Sequence, residues 1–465
     1  MKRRIWICGI LICVLSGMAA AAAAEAGMKL PPYQEVKLPN GFTLLLMEKH
    51  QVPLVSFSFV IKAGSVADPP GKEGIASLTA GLLRKGTKTR TADQLSAEVD
   101  SIGGQLGAGA GYDYTSGSAE FLKKDLPKGV ELLADVLMNP TFPQEEVTKM
   151  LKQRIDGIKA AKDQAQGVIN SYFNAYLYGN HPYGRPAGGD EKSLPSITRD
   201  DVVRFYETHY LPANLLLAAV GDFATEEFSA LLAERFKAWP GRAVTPTALP
   251  EVKPYAGKKL LLVNKPDSAQ TFFRIGNLGI SQTDPDRVYL EVINTLFGGR
   301  FTSMINSELR IKSGLTYGAG SSFDQRKLAG PFVISSYTPN KTTEKALDLT
   351  LEVLRRLHEK GITAEELQSA KNYIKGQSPT DIETTNQLAE LLTRLKYYGL
   401  GDNEINEYYQ RIDAMTLDDA RRVIKEHFPL DNLVFVLIGK AEEIKSIVSK
   451  YAGQMDQKSI QDVGF

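Results

Sequence analysis

Cysteine is nearly missing from this 465-residue chain: there are two, Cys8 and Cys13, and both lie within the first 24 residues. Lys2, Arg3 and Arg4 precede an apolar run from Ile5 to Met18 and an alanine tract from Ala19 to Ala24. That order predicts a secretory signal peptide over residues 1–24, cleaved near Ala24 or Ala26, because the run is short for a membrane span. An uncleaved anchor is the alternative reading. Once the signal is removed no thiol remains, which excludes disulfides, a cysteine nucleophile and thiolate zinc sites. The expected compartment is the bacterial periplasm. Histidine is also scarce: His50, His181, His209, His358 and His427, no two of them three to five residues apart. A helical zinc pair needs that spacing to bring two imidazoles to one face. Charge of one sign never accumulates, and the formal net charge is +1, so neither nucleic acid nor an acidic membrane is an expected partner. The glycines between Gly103 and Gly111 lack a P-loop lysine.

What the chain does have is a repeat. TRDDVVRFYETHYLPANLLLAAVG, from Thr198 to Gly221, returns as TLDDARRVIKEHFPLDNLVFVLIG, from Thr416 to Gly439. The threonine, the two aspartates, the histidine, the asparagine and the last glycine keep one offset, 416 − 198 = 218. Self-similarity at this scale predicts a tandem duplication, and 465 residues exceed what one core serves. Two related halves are expected to close around a shared cleft.

Local patterns fill in the units. VKLPNG, from Val36 to Gly41, followed by Phe42–Met47, reads as a hairpin, and Val55–Ile61 as a further strand. Gly74–Leu83, Ala92–Ile102, Leu126–Met138, Glu145–Ala161, Gln166–Tyr178 and Asp200–His209 have helical spacing. Gln105–Ala119, rich in small residues, reads as two narrow strands. Trp239–Pro254 carries four prolines and little periodicity. The expected division is therefore an N-terminal domain over 25–240, a linker over 241–256 and a C-terminal domain over 257–465. Long helices mixed with hairpin-like strands place the chain in the α+β class, each domain a mainly antiparallel sheet packed with helices.

Several stretches together resemble one family. VKLPNG, Gly74-Ile75-Ala76, Lys85-Gly86-Thr87, Gly179–Pro186, the block Leu194–Phe223, Gly298–Phe301 and Leu309-Arg310 through Tyr317 occur in the order seen in the insulinase-type or pitrilysin-type M16 metallopeptidases. The resemblance runs from about Val36 to Lys450 and implies a clamshell of two homologous domains. Active members carry His-x-x-Glu-His on a first-half helix and a distant glutamate. Two histidines and that glutamate hold zinc, and the near glutamate is the base. The matching positions here are Ser77, Leu78, Thr79, Ala80 and Gly81, and the distant helix reads Arg154-Ile155-Asp156-Gly157-Ile158. Only Asp156 has ligand chemistry there, and no metal ligand is assigned to this chain. Ser77 and Thr79 have no neighbouring base for serine-type catalysis.

The second-half apparatus survives. By resemblance, Arg310 and Tyr317 are the pair that reaches peptide carbonyls, and a guanidinium and a phenol are suitable donors to a developing oxyanion. Arg310 is expected in the last turn of a helix that Gly314 ends, with Tyr317 in the following strand. Composition alone favours the plainer reading, Arg310 paired to a surface carboxylate and Tyr317 packed in the core. The resemblance implies a non-catalytic subunit of a periplasmic heterodimeric peptidase, with zinc in a catalytic partner chain and peptides or unfolded segments as substrate. A peptide-binding or assembly scaffold without peptidase activity is the alternative, and an autonomous metallopeptidase the third reading.

Overall fold

The computed structural model describes residues 27–465; the expected signal segment, with both cysteines, lies outside the described residues. Two six-stranded sheets organise the chain. The first contains β1 (Gln34–Lys37), β2 (Thr43–Glu48), β3 (Leu54–Ile61), β4 (Gln105–Ala110), β5 (Thr115–Leu122) and β6 (Leu215–Gly221). The second contains β7 (Lys258–Asn264), β8 (Gln270–Leu278), β9 (Ala319–Phe323), β10 (Pro331–Pro339), β11 (Leu433–Gly439) and β12 (Gln454–Ser459). Their orders are β1-β2-β6-β3-β5-β4 and β12-β7-β11-β8-β10-β9. Strand for strand, β2, β6, β3, β5 and β4 correspond to β7, β11, β8, β10 and β9. Only the outer edges differ: β1 is the hairpin partner of β2, whereas β12 adds in parallel to β7. Most pairs are antiparallel, with β2–β6 and β7–β11 the matching parallel exceptions. The fold is the α+β class expected from the sequence.

Six helices carry the site positions and join the two halves: α1 (Ile75–Leu82), α2 (Gln144–Lys162), α3 (Ala165–Tyr178), α4 (Arg199–His209), α5 (Thr385–Tyr398) and α6 (Leu417–His427). The repeated Thr-x-x-Asp signals start α4 and α6 with capping boxes, Thr198 with Asp201 and Thr416 with Asp419. Each satisfies backbone donors that a helix N-terminus leaves open.

Strands β6 and β11 are buried at every residue, although each sheet has its own half's helices on one face only. The other face is covered by an exchange. Helix α3 of the first half packs on the second sheet, with Val168, Ile169, Tyr172 and Phe173 against Leu261, Val263, Val434 and Val436. Helix α5 of the second half packs on the first sheet, with Leu388, Ala389 and Leu392 against Leu45, Met47, Ala218 and Val220. The two helices are repeat equivalents, since 385 − 165 and 398 − 178 are both 220. Hydroxyl pairs fix α5 in place, Ser56 with Thr385 at 2.7 Å and Ser58 with Thr393 at 3.0 Å. On the other side the buried Arg274 donates to Asn170 at 2.8 Å. Contiguous halves, as the sequence divides them, thus each lend a helix to the other. The connection at 240–256 carries no helix or strand.

A second join lies at the tip of the β4–β5 turn. Asp113 is buried and accepts from the Tyr183 hydroxyl at 2.5 Å, the Tyr398 hydroxyl at 3.1 Å and the Lys327 backbone N–H at 2.7 Å. The Arg326 guanidinium lies 3.8 Å from the Tyr112 ring centroid. Burial, and then the Asp113 charge, push the Tyr183 and Tyr398 phenols well above their ordinary pKa.

Candidate functional site

Helix α1 carries the positions aligned with the zinc motif. Gly74 precedes it at φ +97°, a left-handed conformation that glycine adopts without strain, and a Cβ there would meet Gly188 O at 2.7 Å. Asp68 accepts from the Gly74 and Ala76 N–H groups at 2.7 and 3.0 Å, closing the exposed donors of the first turn. Burial raises its carboxyl to about 8, against the two N–H donors that favour the anion. Ile75, Ala76, Leu78, Thr79, Ala80 and Leu82 are buried, so only Ser77 and Gly81, one turn apart on one face, are left to look outward.

That face meets α2 through Arg154. Its Nη1 donates to Ser77 Oγ at 2.9 Å and its Nη2 to Ser77 O at 2.8 Å. A Cβ built on Gly81 would lie 3.3 Å from Arg154 Nη2 and 3.1 Å from Met150 Sδ. Burial alone draws the guanidinium below its usual pKa. Asp156, the aspartate singled out from the sequence, is exposed and pairs with Lys152 at 3.1 Å. The residues at this place are a hydroxyl, a methyl, a glycine and a cation, and they do not fit a zinc ion.

The histidines do other work. His427 sits 3.0 Å from Asp286, while its repeat equivalent His209 packs on the Phe205 ring at 4.5 Å between centroids. His181 caps a short turn by accepting from the Tyr183 N–H at 3.0 Å. Asp284, Asp286 and His427 have ligand atoms within 4.8 Å of one another. Arg422, however, donates to both Asp286 oxygens at 2.6 Å, so the central carboxylate is already engaged by a fork of N–H donors.

Arg310 and Tyr317 belong to one connection in the second half. Arg310 lies in the last turn of a helix, as expected, and that turn, Ser307–Lys312, is π-helical. Tyr317 precedes β9 instead of lying in it, so the strand expected there starts two residues later. Leu309 and Leu315 are buried on either side, and the Leu315 N–H donates to Leu309 O at 2.9 Å. Gly314 turns the chain at φ +63°. Thr316 is buried, and its hydroxyl donates to Gly318 O at 3.0 Å. Anchored this way, the turn holds Arg310 and Tyr317 outside. Tyr317 is 79% exposed, with Phe301 at 61% and Ile311 at 56%. Arg310 stacks on Phe301, its Cζ 4.8 Å from the ring centroid, and makes no ion pair among the described residues. The core packing and carboxylate pairing that composition alone favours are both absent from the described residues.

The cleft between the halves is a separate place. It encloses about 1120 Å³ and is lined by Gly107, Gly109 and Ser118 of the β4–β5 ribbon and by Glu291, Glu390 and Arg394 of the second half. None of Ser77, Arg154, Arg310 or Tyr317 lines it.

Two profiles of one family match the chain. The one described as "Insulinase (Peptidase family M16)" matches residues 43–191, and the one described as "Peptidase M16 inactive domain" matches 196–374. The chain belongs to the M16 peptidase family. Among relatives of this M16 chain is a protein of Rickettsia bellii (strain RML369-C) named "Uncharacterized zinc protease", 29% identical over 79% of this chain and 86% of the relative. A crystal structure of a peptidase M16 inactive domain from Pseudomonas fluorescens superposes with a TM-score of 0.83 at 26% identity, covering 88% of this chain and 98% of that one. A protease from Helicobacter pylori shares the fold, with a TM-score of 0.83 at 22% identity over 88% of this chain and all of that one (100%). Sequence reasoning missed Arg154. The signal available was a small pair, Ser77 and Gly81, opposite a long cation on the facing helix.

Proposed function

We propose that the chain is the non-catalytic subunit of a two-chain, zinc-dependent M16-type peptidase, acting in the periplasm on peptides or unfolded segments. The observation that carries this reading is the pairing of an M16 first half without metal ligands and a second half that presents Arg310 and Tyr317 uncovered. A zinc-bearing M16 partner chain would supply the metal and its activated water. In the complex, the Arg310 guanidinium and the Tyr317 hydroxyl donate to the substrate carbonyl oxygen. One donor is cationic and the other neutral, so both hydrogen bonds strengthen as that oxygen becomes an oxyanion.

The test is reconstitution with a zinc-bearing M16 chain, followed by Arg310→Ala and Tyr317→Phe. Loss of one such donor costs about a hundredfold or more in kcat. Both side chains are exposed, and substitutions at such positions change stability by only about 0.5 kcal/mol. Assembly and folding should therefore be preserved while turnover falls. Full rates in both variants would refute the assigned roles. If no zinc-bearing partner yields hydrolysis, the scaffold reading takes its place.

A further inference from the structure

We propose that Arg154 takes the structural place of a metal ion in this chain: its guanidinium is a built-in cation that ties α1 to α2 and makes the face bearing Ser77 and Gly81 unable to accept zinc. This role belongs to the chain's own residues and holds whether or not a catalytic partner exists.

Three features support it together. Position 77 supplies two acceptors, Oγ and the backbone carbonyl, both engaged by the guanidinium at 2.9 and 2.8 Å. Position 81 supplies space, because the guanidinium lies 3.3 Å from where a Cβ would stand. Position 154 supplies the charge, and no carboxylate pairs with it among the described residues. A metal at such a place holds two helices by ligands from each. Here a forked donor from α2 makes the same connection to α1 with hydrogen bonds. Restoring imidazoles at 77 and 81 alone would aim two neutral ligands at a fixed cation, and a second cation there is repelled. The neighbouring Thr79 hydroxyl is buried without a hydrogen-bond partner among the described residues. It adds no ligand, since α1 turns it into the core.

The experiment uses the full mature chain in two forms, Ser77→His with Gly81→His, and the same pair with Arg154→Glu. Zinc retained after dialysis is measured by atomic emission, and affinity by competition with a chromogenic chelator. The expected result is no retained zinc in the double variant and stoichiometric zinc in the triple variant. Stoichiometric zinc with Arg154 in place overturns the proposal, as does a triple variant that holds no more than the double. A second measurement needs no rebuilt site. Thermal unfolding of Arg154→Ala should shift down, Arg154→Lys should restore only part of the loss because an ammonium lacks the fork, and added zinc should leave the unsubstituted chain unmoved. An Arg154→Ala variant that melts with the unsubstituted chain, or full rescue by lysine, also overturns it.

Discussion

Cutting the chain at the connection between its halves should leave neither piece folded alone. Consider residues 27–240 expressed by themselves. Leu45, Met47 and Val220, each at most 1% exposed in the intact protein, lose the cover of Leu388 and Leu392. Burial of a large aliphatic side chain contributes about 1.5–3 kcal/mol, so these three alone account for roughly 5–9 kcal/mol. Helix α3 meanwhile leaves Val168, Ile169, Tyr172 and Phe173 without the second sheet, a loss of similar size. Domains are stable by only about 5–15 kcal/mol in total. The deficit therefore exceeds what the first half can hold. The measurement is near-ultraviolet circular dichroism and urea unfolding of each half, separately and mixed. Separately, each should show no cooperative transition and should aggregate; mixed during refolding, they should form a one-to-one complex with a single transition. A monomeric 27–240 fragment that unfolds cooperatively would refute the argument, because it would mean that the exchanged helices add little to either core.

Within the intact chain, Leu392→Ala should cost about 3 kcal/mol, read from the urea midpoint, with no route for the flat face of the sheet to collapse onto the gap. Asp113→Ala strips the acceptor from the buried Tyr183 phenol, the half-buried Tyr398 phenol and a backbone N–H, and should cost roughly 3–5 kcal/mol in the same assay, while Asp113→Asn costs less. Acid should unfold the protein through Asp286 and Asp201. The Arg422 guanidinium first, then His427, hold Asp286 near 2 against burial. At Asp201, burial works against the anion, but the Lys72 ammonium and Thr198 donors outweigh it and also bring it to about 2. Both folded values lie below the ordinary aspartate value, so the stabilisation is present above about pH 4 and is lost as pH falls toward 2, up to about 2 kcal/mol for each. Arg422→Ala should shift the acid midpoint upward; an unchanged midpoint would show that the Asp286 pair contributes nothing.

The repeat made much of this architecture legible. An offset of 218 between two apolar runs placed β6 and β11 at equivalent positions, and the Thr-x-x-Asp signals placed the starts of α4 and α6. Complete burial of LLLAAVG and LVFVLIG was also written in their composition, since a strand with one wet face would alternate. Which helix covers the second face was not. An amphipathic pattern states that α3 must bury a stripe, not whose sheet receives it. The same limit hid Arg154. Residues 154 and 156 lie about 200° apart around a helix, so choosing between them needs the packing register of α2 against α1, which spacing does not carry. At the Arg310–Tyr317 connection the anchors Leu309 and Leu315 fit an ordinary helix end equally well, and the π-helical turn that results is a tertiary outcome.

Exposure at that connection carries the functional argument further than the motif does. Arg310 stacked on Phe301, with Ile311 and Tyr317 exposed in the same connection, leaves cationic and apolar groups that the chain does not use for its own core. Flexible loops expose such groups at little consequence, but this turn is fixed by two buried leucines, a buried threonine and a backbone hydrogen bond across the reversal. Rigid presentation of donors lowers the ordering cost when an acceptor arrives, which is the physical requirement for stabilising a transient negative charge. The intramolecular cleft does not supply that acceptor, because neither side chain lines it. On the first half, meanwhile, the positions aligned with the zinc motif are tied to the facing helix by the Arg154–Ser77 hydrogen bonds. On the proposed reading, this duplicated fold, its halves locked together by exchanged helices, presents its open face to a second molecule.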